Sequence, residues 1–140
     1  MAGLRRKARE LSLQMLYMLD IVGAKDMRAQ LHLFWENYGQ IAASRLFAME
    51  LTMGVYQHLN EIDQTISQSS HNWKLNRMSY VDRNLLRLAV YELLYCPDIP
   101  PKVSINEAIE ISKRFGDKDS GAFINGILDQ IFRRLKQAAS

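Results

Sequence analysis

The sequence predicts an all-α fold, and two observations support this. Leucine (18) and alanine (12) far outnumber valine (5) and threonine (2), and glycine and proline together contribute only 10 of the 140 residues. Straight-chain residues favour helices, whereas β-branched residues favour strands. Apolar residues also recur at steps of three and four, which is the spacing of one helix face. We expect residues 1–140 to form one domain.

The first predicted helix runs from about Leu4 to Asp20 and ends before Gly23. Its main apolar stripe consists of Leu4, Ala8, Leu11, Met15 and Met18. Three arginines lie off this stripe, and one turn later the same off-stripe face becomes apolar through Leu13, Leu16 and Tyr17. A helix that is apolar on two faces is either buried or presents one face to a partner, and the pattern alone leaves both open.

Three further helices are predicted before residue 70. Asp26 is a plausible N-cap for a helix that ends at Gly39 and carries an apolar side of Met27, Leu31, Phe34, Trp35 and Tyr38. A long apolar-rich helix follows from about Gln40 to Leu59, and a shorter one runs from Asn60 to Ser67. The polar residues from Ser69 to Asn72 are typical of a loop.

The second half contains clearer capping signals. Ser79 followed by Asp82 predicts a helix start, with the helix continuing to about Tyr95. Three prolines between residues 97 and 101 predict an extended connection, since proline lacks a donor and restricts its predecessor. Ser104 and Glu107 form a capping box that predicts a short helix ending at Gly116. Asp117, Asp119 or Ser120 is expected to cap a last helix with the stripe Phe123, Ile127, Ile131 and Leu135.

Basic side chains are concentrated at the two ends of the chain. The net charge is +3, yet residues 1–10 alone hold four basic side chains and one acid, and three more bases lie between residues 133 and 136. This concentration favours a polyanionic partner such as nucleic acid, or else a merely solubilising end. No apolar run reaches the roughly 20 residues that span a bilayer, and no signal peptide is evident, so we expect a cytoplasmic protein.

The residues needed for catalysis are not arranged in any recognisable motif. The three histidines are scattered, and Cys96 has no nearby histidine motif. Gly116 and Gly121 are spaced as in a phosphate loop, but Ala122 and Phe123 stand where that loop requires lysine and serine or threonine. The sequence therefore predicts a protein that is not an enzyme and has no metal site and no cofactor.

Several motifs in the correct order resemble the bacterial NusB family. They are dense from Met78 to Asp129, clear over the first 20 residues and weak between Asp26 and Trp73. They comprise Arg5-Arg6-Lys7-Ala8-Arg9-Glu10, Leu16-Tyr17, Asp82-Arg83, residues 86–93, Ile99-Pro100-Pro101-Lys102-Val103, residues 105–110, Phe115-Gly116, Asp119-Ser120 and residues 123–129.

The resemblance implies about seven helices in two packed sub-bundles. It also implies a bacterial transcription antitermination factor that binds the boxA element of nascent RNA together with NusE, a small-subunit ribosomal protein. Such a factor promotes transcription of rRNA operons within an elongation complex that contains other Nus factors. The free protein of this family is a monomer in some relatives and a homodimer in others, and the sequence leaves this open.

The resemblance also assigns candidate site residues. The implied RNA-binding residues are Arg5, Arg6, Lys7, Arg9, Lys118, Asp119, Ser120 and Phe123. The implied protein-partner residues are Tyr17, Asp82 and Arg83. Many relatives carry a lysine directly before the phenylalanine, whereas this chain has Ala122, so one ionic contact is either missing or supplied by Lys118. Phe123 also belongs to an apolar stripe, so it either stacks on RNA or packs in the core.

Two other functions remain as alternatives. The runner-up is a protein-only helical adaptor of the antitermination or ribosome-assembly machinery, for which the basic amino end would be incidental. An RNA-modifying enzyme ranks third because no residues support it. The RNA-binding hypothesis requires the basic amino end and the start of the last helix to converge into one groove.

Overall fold

The computed structural model describes residues 2–38, 42–71 and 73–139 and consists, over these ranges, of helices without strands. The all-α prediction and the expected seven α-helices are confirmed. The predicted boundaries at Gly39, Gln40 and Asn72 lie outside the described residues. The helices are α1 (Ala2–Val22), α2 (Met27–Tyr38), α3 (Ala42–Gln57), α4 (Leu59–Ser69), α5 (Tyr80–Tyr95), α6 (Pro101–Phe115) and α7 (Ser120–Ala139), with a 3₁₀ turn at Leu75–Arg77.

Two hydrophobic cores correspond to the two expected sub-bundles. The smaller core packs α1 and α3 against α2 through Ala8, Leu11, Met15, Leu19, Leu31, Phe34, Trp35 and Ala48. The larger core surrounds α5, whose residues from Asn84 to Glu92 are all buried, and includes α4, α6 and α7. Helices α1 and α3 contribute buried side chains to both cores.

The second apolar face of α1 is covered by this chain and not by a partner. Leu13 is 2% exposed and Leu16 fully buried, and both belong to the larger core. Of the three off-stripe apolar residues only Tyr17 is exposed. Of the two alternatives that the sequence left open for this face, burial is the one that applies to the two leucines. Gly23 ends α1 as predicted, with a φ of 89° that favours glycine.

The Ser79 cap and the Ser104–Glu107 capping box, two of the capping signals predicted in the second half, have different outcomes. The Ser79 cap is confirmed, because its Oγ accepts a hydrogen bond from the Asp82 N–H at 3.1 Å. The Ser104–Glu107 capping box is wrong, because α6 already begins at Pro101. Proline suits the first helical position, where its missing N–H would have no partner in any case. The side chains of Ser104 and Glu107 are engaged in contacts with other helices.

None of the described helices is both long and apolar enough to cross a membrane.

Candidate nucleic-acid interface

The first two turns of α1 place three cationic side chains at the surface. Arg5 and Arg6 are exposed and Lys7 is partly buried. The Arg5 guanidinium lies 4.8 Å from the centre of the Phe47 ring, a cation–π contact that holds the side chain against α3. These three residues match the sequence-predicted basic cluster.

Arg6 is held by a carboxylate from α6. Its Nε donates to Glu107 Oε1 at 3.1 Å and its Nη2 to Glu107 Oε2 at 2.5 Å. This hydrogen-bonded ion pair raises the pKa of Arg6 above its ordinary value. Arg6 Nη1 has no hydrogen-bond partner among the described residues, so the Nη1/Nη2 edge of the guanidinium is available to a phosphate.

Arg9 does not belong to the exposed cluster, which corrects the expectation that four cations meet RNA. It is 3% exposed, and its Nε and Nη2 donate to the two carboxylate oxygens of Glu92, each at 2.8 Å. Its Nη1 lies 3.4 Å from Glu107 Oε1. At this exposure Arg9 offers almost no surface to a phosphate, and removing it from the pair would leave Glu92 buried without a counter-charge.

These contacts form a chain of alternating charge from the core to the surface. Ser104 Oγ donates to Glu92 Oε1 at 2.7 Å, Glu92 binds Arg9, Arg9 contacts Glu107, and Glu107 binds Arg6. The chain connects α5, α1 and α6. It fixes the start of α1 relative to the larger core and ends in an exposed guanidinium.

The start of α7 is organised by polar side chains that are only partly accessible. Ser120 is 1% exposed, and its Oγ accepts from the Asp117 N–H at 3.0 Å. Asp117 Oδ1 accepts from the Asp119 N–H at 2.8 Å. Ser120 therefore shapes the loop and its side chain is too buried to contact RNA, contrary to the expectation from the sequence. Lys118 and Asp119 are exposed, as an RNA contact requires.

Phe123 packs in the core on one side, and its stacking on RNA stays a prediction. It is partly buried and packs against the larger core. Its ring also lies edge-on to the ring of Trp73, with 6.0 Å between centroids and 79° between planes. One side of Phe123 therefore stabilises the fold, while the Trp73 side faces a surface cavity.

The cavity beside Phe123 has a volume of about 290 Å³ and lies between the 3₁₀ turn, the start of α5 and the start of α7. Sequence reasoning missed Trp73 and Arg77 as site residues, because an isolated tryptophan in a polar stretch carries no periodic signal. The lining residues are Trp73, Arg77, Met78, Ser79, Asp82, Asp117, Asp119 and Phe123.

The basic amino end and the start of α7 both adjoin α6, at different points along it. Arg6 contacts Glu107, whereas Arg114, in the last turn of α6, donates to Glu10 Oε1 at 2.9 Å. Phe115 ends α6 eight residues after Glu107, or about 12 Å further along the helix axis. The structure thus places the two regions as two patches along α6, and their convergence on one RNA stays a prediction.

The predicted protein-partner residues lie where the end of α1 meets the start of α5. Tyr17 is 40% exposed and packs edge-on against Tyr80, with ring centroids 5.6 Å apart. Arg83 donates to Asp20 Oδ2 and to the Leu75 carbonyl, so its guanidinium is held within the chain. The tyrosine pair thus forms the exposed part of this face, and Asp82 lies on its border with the cavity.

Comparisons with known proteins agree with this architecture. The sequence model of the NusB family matches residues 6–133. The transcription antitermination protein NusB of Desulfatibacillum aliphaticivorans is 54% identical, over 95% of this chain and 92% of that protein. The protein of the same name from Myxococcus xanthus is 50% identical, over 92% and 94%.

Two solved structures share the fold. NusB of T. maritima superposes with a TM-score of 0.80 at 42% identity, covering 91% of this chain and 89% of that one. A crystal structure of antitermination factors NusB and NusE in complex with dsRNA gives a TM-score of 0.83 at 26% identity, covering 96% and 99%. With the family's sequence pattern over residues 6–133 and its helical arrangement both present, this chain belongs to the NusB family.

Proposed function

We propose that this chain is a bacterial, cytoplasmic transcription antitermination factor. In this proposal residues 1–140 act as one RNA-binding domain that binds boxA-type single-stranded RNA together with NusE, in an elongation complex with other Nus factors, and catalyses no reaction. The observation that carries it is the group of cations Arg5, Arg6 and Lys7 on the first turns of α1, of which the two arginines are exposed and Lys7 is partly buried. Similarity to transcription antitermination proteins supports the antitermination role, and the related complex of NusB with NusE and dsRNA supports the partner.

The chemistry of the α1 cations suits the backbone of RNA. Lysine and arginine neutralise phosphates and release counterions, and this term dominates non-specific affinity. Arg6 offers its free Nη1/Nη2 edge in an orientation that Glu107 fixes in advance, so little side-chain entropy is lost on binding. At the second patch, exposed Lys118 and the aromatic side chain of Phe123 supply a further cation and a stacking surface.

The tyrosine pair at the end of α1 supports a protein partner. Tyr17 and Tyr80 are 40% and 41% exposed and pack against each other. Aromatic side chains are enriched at interfaces because they bury large area at a low entropy cost. We assign NusE binding to this face, with Asp82 on its border and Arg83 fixed behind it by Asp20.

Binding of labelled boxA RNA, with and without NusE, tests the proposal. Replacing Arg5 and Lys7 by alanine removes two of the three α1 cations and leaves Arg6 and Lys118, so we expect the slope of log K against log salt to become less negative, from about −2.8 to about −1.4. Arg134→Ala, which removes an exposed cation near the far end of α7, is the matched control and leaves the slope unchanged. An RNA duplex of the same sequence is added as a competitor of the labelled single strand, because the related complex contains dsRNA.

Two outcomes would overturn the proposal. If NusE binds but RNA does not, with or without NusE, the chain is a protein-only adaptor. If boxA RNA is chemically altered during incubation, the assignment as a factor without catalytic activity is wrong.

A further inference from the structure

An open groove between α2 and α3 exposes apolar side chains beside the smaller core. It has a volume of about 470 Å³, and its floor consists of Met27, Leu31 and Trp35 from α2 with Met49 and Met53 from α3. The Trp35 N–H donates to the Met49 sulfur at 2.9 Å and so connects the two helices across the floor. Methionine side chains are unbranched and polarizable, so such a floor can adapt to the side chains of a partner.

The outer face of α3 continues this apolar surface. Leu46, Met49 and Met53 follow one another at steps of three and four, so they lie on one side of the helix. Leu46 is 82% exposed and Met53 37% exposed. The opposite side of α3, with Leu51 and Val55, is buried in the larger core. A helix that is apolar on a second, solvent-facing side indicates an interaction surface.

Positive side chains stand on both rims of the groove. Arg28 on α2 and Arg45 on α3 are exposed, and neither forms a hydrogen bond or ion pair with another described residue. The Arg45 guanidinium lies 5.0 Å from the centre of the Trp35 ring, which holds it at the rim. Exposed His32 also lines the groove, and its Nε2 lies 3.2 Å from Glu36 Oε1. The described lining residues include no carboxylate, so the groove suits an occupant with negatively charged edges.

The dimensions of the groove favour a helix, and its floor disfavours a nucleic acid. Arg45 and Met53 mark the two ends of its α3 wall and are eight residues apart, or about 12 Å along the helix axis. A docked helix with apolar side chains at positions i, i+4 and i+7 spans about 10.5 Å between the first and the last of them. An RNA base would need an accessible ring for stacking, whereas Trp35 is only 4% exposed.

We propose that this groove binds an acidic amphipathic helix of a protein partner. The apolar side chains of that helix pack on the floor and on Leu46, and its aspartate or glutamate side chains pair with Arg28 and Arg45. None of the residues that line the groove belongs to the α1 cations or to the tyrosine pair. The inference therefore adds a further interaction surface and does not depend on the proposed binding of RNA or NusE.

Three labelled peptides test the proposal. Each is an 18-residue alanine-based helix with a fluorescein label and with leucine at positions i, i+4 and i+7. The positions that flank the leucines hold glutamate in the first peptide, glutamine in the second and lysine in the third. Fluorescence anisotropy with the full chain gives the three Kd values. We expect the glutamate peptide to bind about 2- to 25-fold more tightly than the glutamine peptide, as two exposed ion pairs allow, and the lysine peptide to bind most weakly.

Variants of the groove separate its charge from its apolar floor. Replacing both Arg28 and Arg45 by glutamate should reverse the order, so that the lysine peptide binds most tightly. Met53→Glu should weaken binding of the uncharged glutamine peptide at least about tenfold, because a charge replaces an apolar contact. Val103→Glu, at a comparably exposed apolar position of α6, is the matched control and leaves all three affinities unchanged. Circular dichroism confirms that each variant retains its helices.

Other occupants of the groove give different results. If the chain dimerises and Met53→Glu makes it monomeric in analytical ultracentrifugation, the groove joins two copies of this chain. If Arg28→Ala and Arg45→Ala together abolish binding of boxA RNA, the groove holds RNA. If saturating NusE displaces the glutamate peptide, the groove belongs to the NusE-binding face. Each of these results would overturn the acidic-helix proposal.

The peptides themselves can also contradict the inference. Absence of binding, or equal affinities for the three peptides, would overturn it. Both results would leave the proposed RNA binding by Arg5, Arg6 and Lys7 intact, because that function is measured with boxA RNA and uses a different part of the surface.

Discussion

Arg9 and Glu92 form a bidentate ion pair between α1 and α5, with two N–O distances of 2.8 Å and side chains that are almost fully buried. Ser104 Oγ donates a further hydrogen bond to Glu92. Because of this pair, the basic residues near the amino end of the chain have two different roles. Arg9 anchors α1 to the larger core, and the neighbouring exposed cations are left for a polyanion.

Replacing Arg9 by methionine should destabilise the protein by about 3–5 kcal/mol, because Glu92 would remain buried without a counter-charge. Urea unfolding followed by circular dichroism measures the change. Replacing Glu92 by leucine in the Arg9→Met background should recover part of the loss, since an apolar pair no longer leaves a buried charge. Equal stability of wild type and Arg9→Met would show that the pair is not buried in solution.

Arg6 and Glu107 should be coupled in RNA binding. Because Glu107 orients the guanidinium, Glu107→Ala is expected to weaken RNA affinity about fivefold in the wild-type background and to have no effect when Arg6 is alanine. A double-mutant cycle of boxA RNA affinities provides the measurement. If Glu107→Ala strengthens binding instead, Glu107 competes with phosphate for Arg6 and does not position it.

The salt dependence of RNA binding should not include a contact from Arg9. With Arg9 buried, the α1 cations Arg5, Arg6 and Lys7 together with Lys118 at the second patch predict a slope near −3 and an affinity loss of about 50-fold between 50 and 200 mM salt. An additional contact from Arg9 would give a slope near −3.5 and a loss of about 130-fold. Titrations at several salt concentrations distinguish these values, and a slope near zero would contradict a phosphate-contact mechanism altogether.

Gly54 should not tolerate a side chain. A Cβ atom at this position of α3 would overlap with the ring of Tyr91, which packs directly over it from α5. Gly54→Ala is therefore expected to cost about 1–3 kcal/mol of unfolding free energy, despite the better helix propensity of alanine.

Gly126→Ala in α7 is the control for this substitution. Nothing lies within 4 Å of the added methyl group there, so propensity alone should stabilise the protein by about 0.5–1 kcal/mol. Thermal unfolding of both variants gives the comparison. Similar shifts of the same sign would show that the Tyr91 contact does not control the outcome at Gly54.

The thiol of Cys96 should react slowly in the folded protein. Burial, with a smaller contribution from Glu92, raises the pKa of Cys96 to about 11, so the thiolate is scarce at pH 8. Alkylation by iodoacetamide is expected to be about 100-fold slower than at an unperturbed thiol and to accelerate as the pH approaches 11. The urea-unfolded chain is the reference, and equal rates in both states would contradict the burial.

Local signals in the sequence predicted the fold well. The Ser79 cap, Gly23 and the stripe on α7 act within a few residues, so their physical effects are visible in the sequence itself. Ser104 and Glu107 have the spacing of a capping box, but their partners, Glu92 and Arg6, are 12 and 101 residues away. Tertiary contacts of this kind determine the roles of the two side chains, and the local sequence gives no sign of them.

The site was predictable only in outline. Arg5, Arg6 and Arg9 are chemically equivalent in the sequence, and only the distant carboxylate of Glu92 separates the buried one from the exposed pair. Trp73 escaped prediction for a similar reason, because its significance arises from Phe123, fifty residues later. Positions that acquire a role through long-range contacts need a three-dimensional arrangement to be identified.

Helices α1 and α3 belong to both cores, and this has a consequence for motion. Neither sub-bundle can open without exposing buried side chains of α1, so its central amides should exchange with solvent only when the whole chain unfolds. The cations on the first turns thus belong to a helix whose central amides are expected to exchange only when the whole chain unfolds. Release of a ligand bound to these cations should therefore depend on the stability of the whole chain and not on local opening of one sub-bundle.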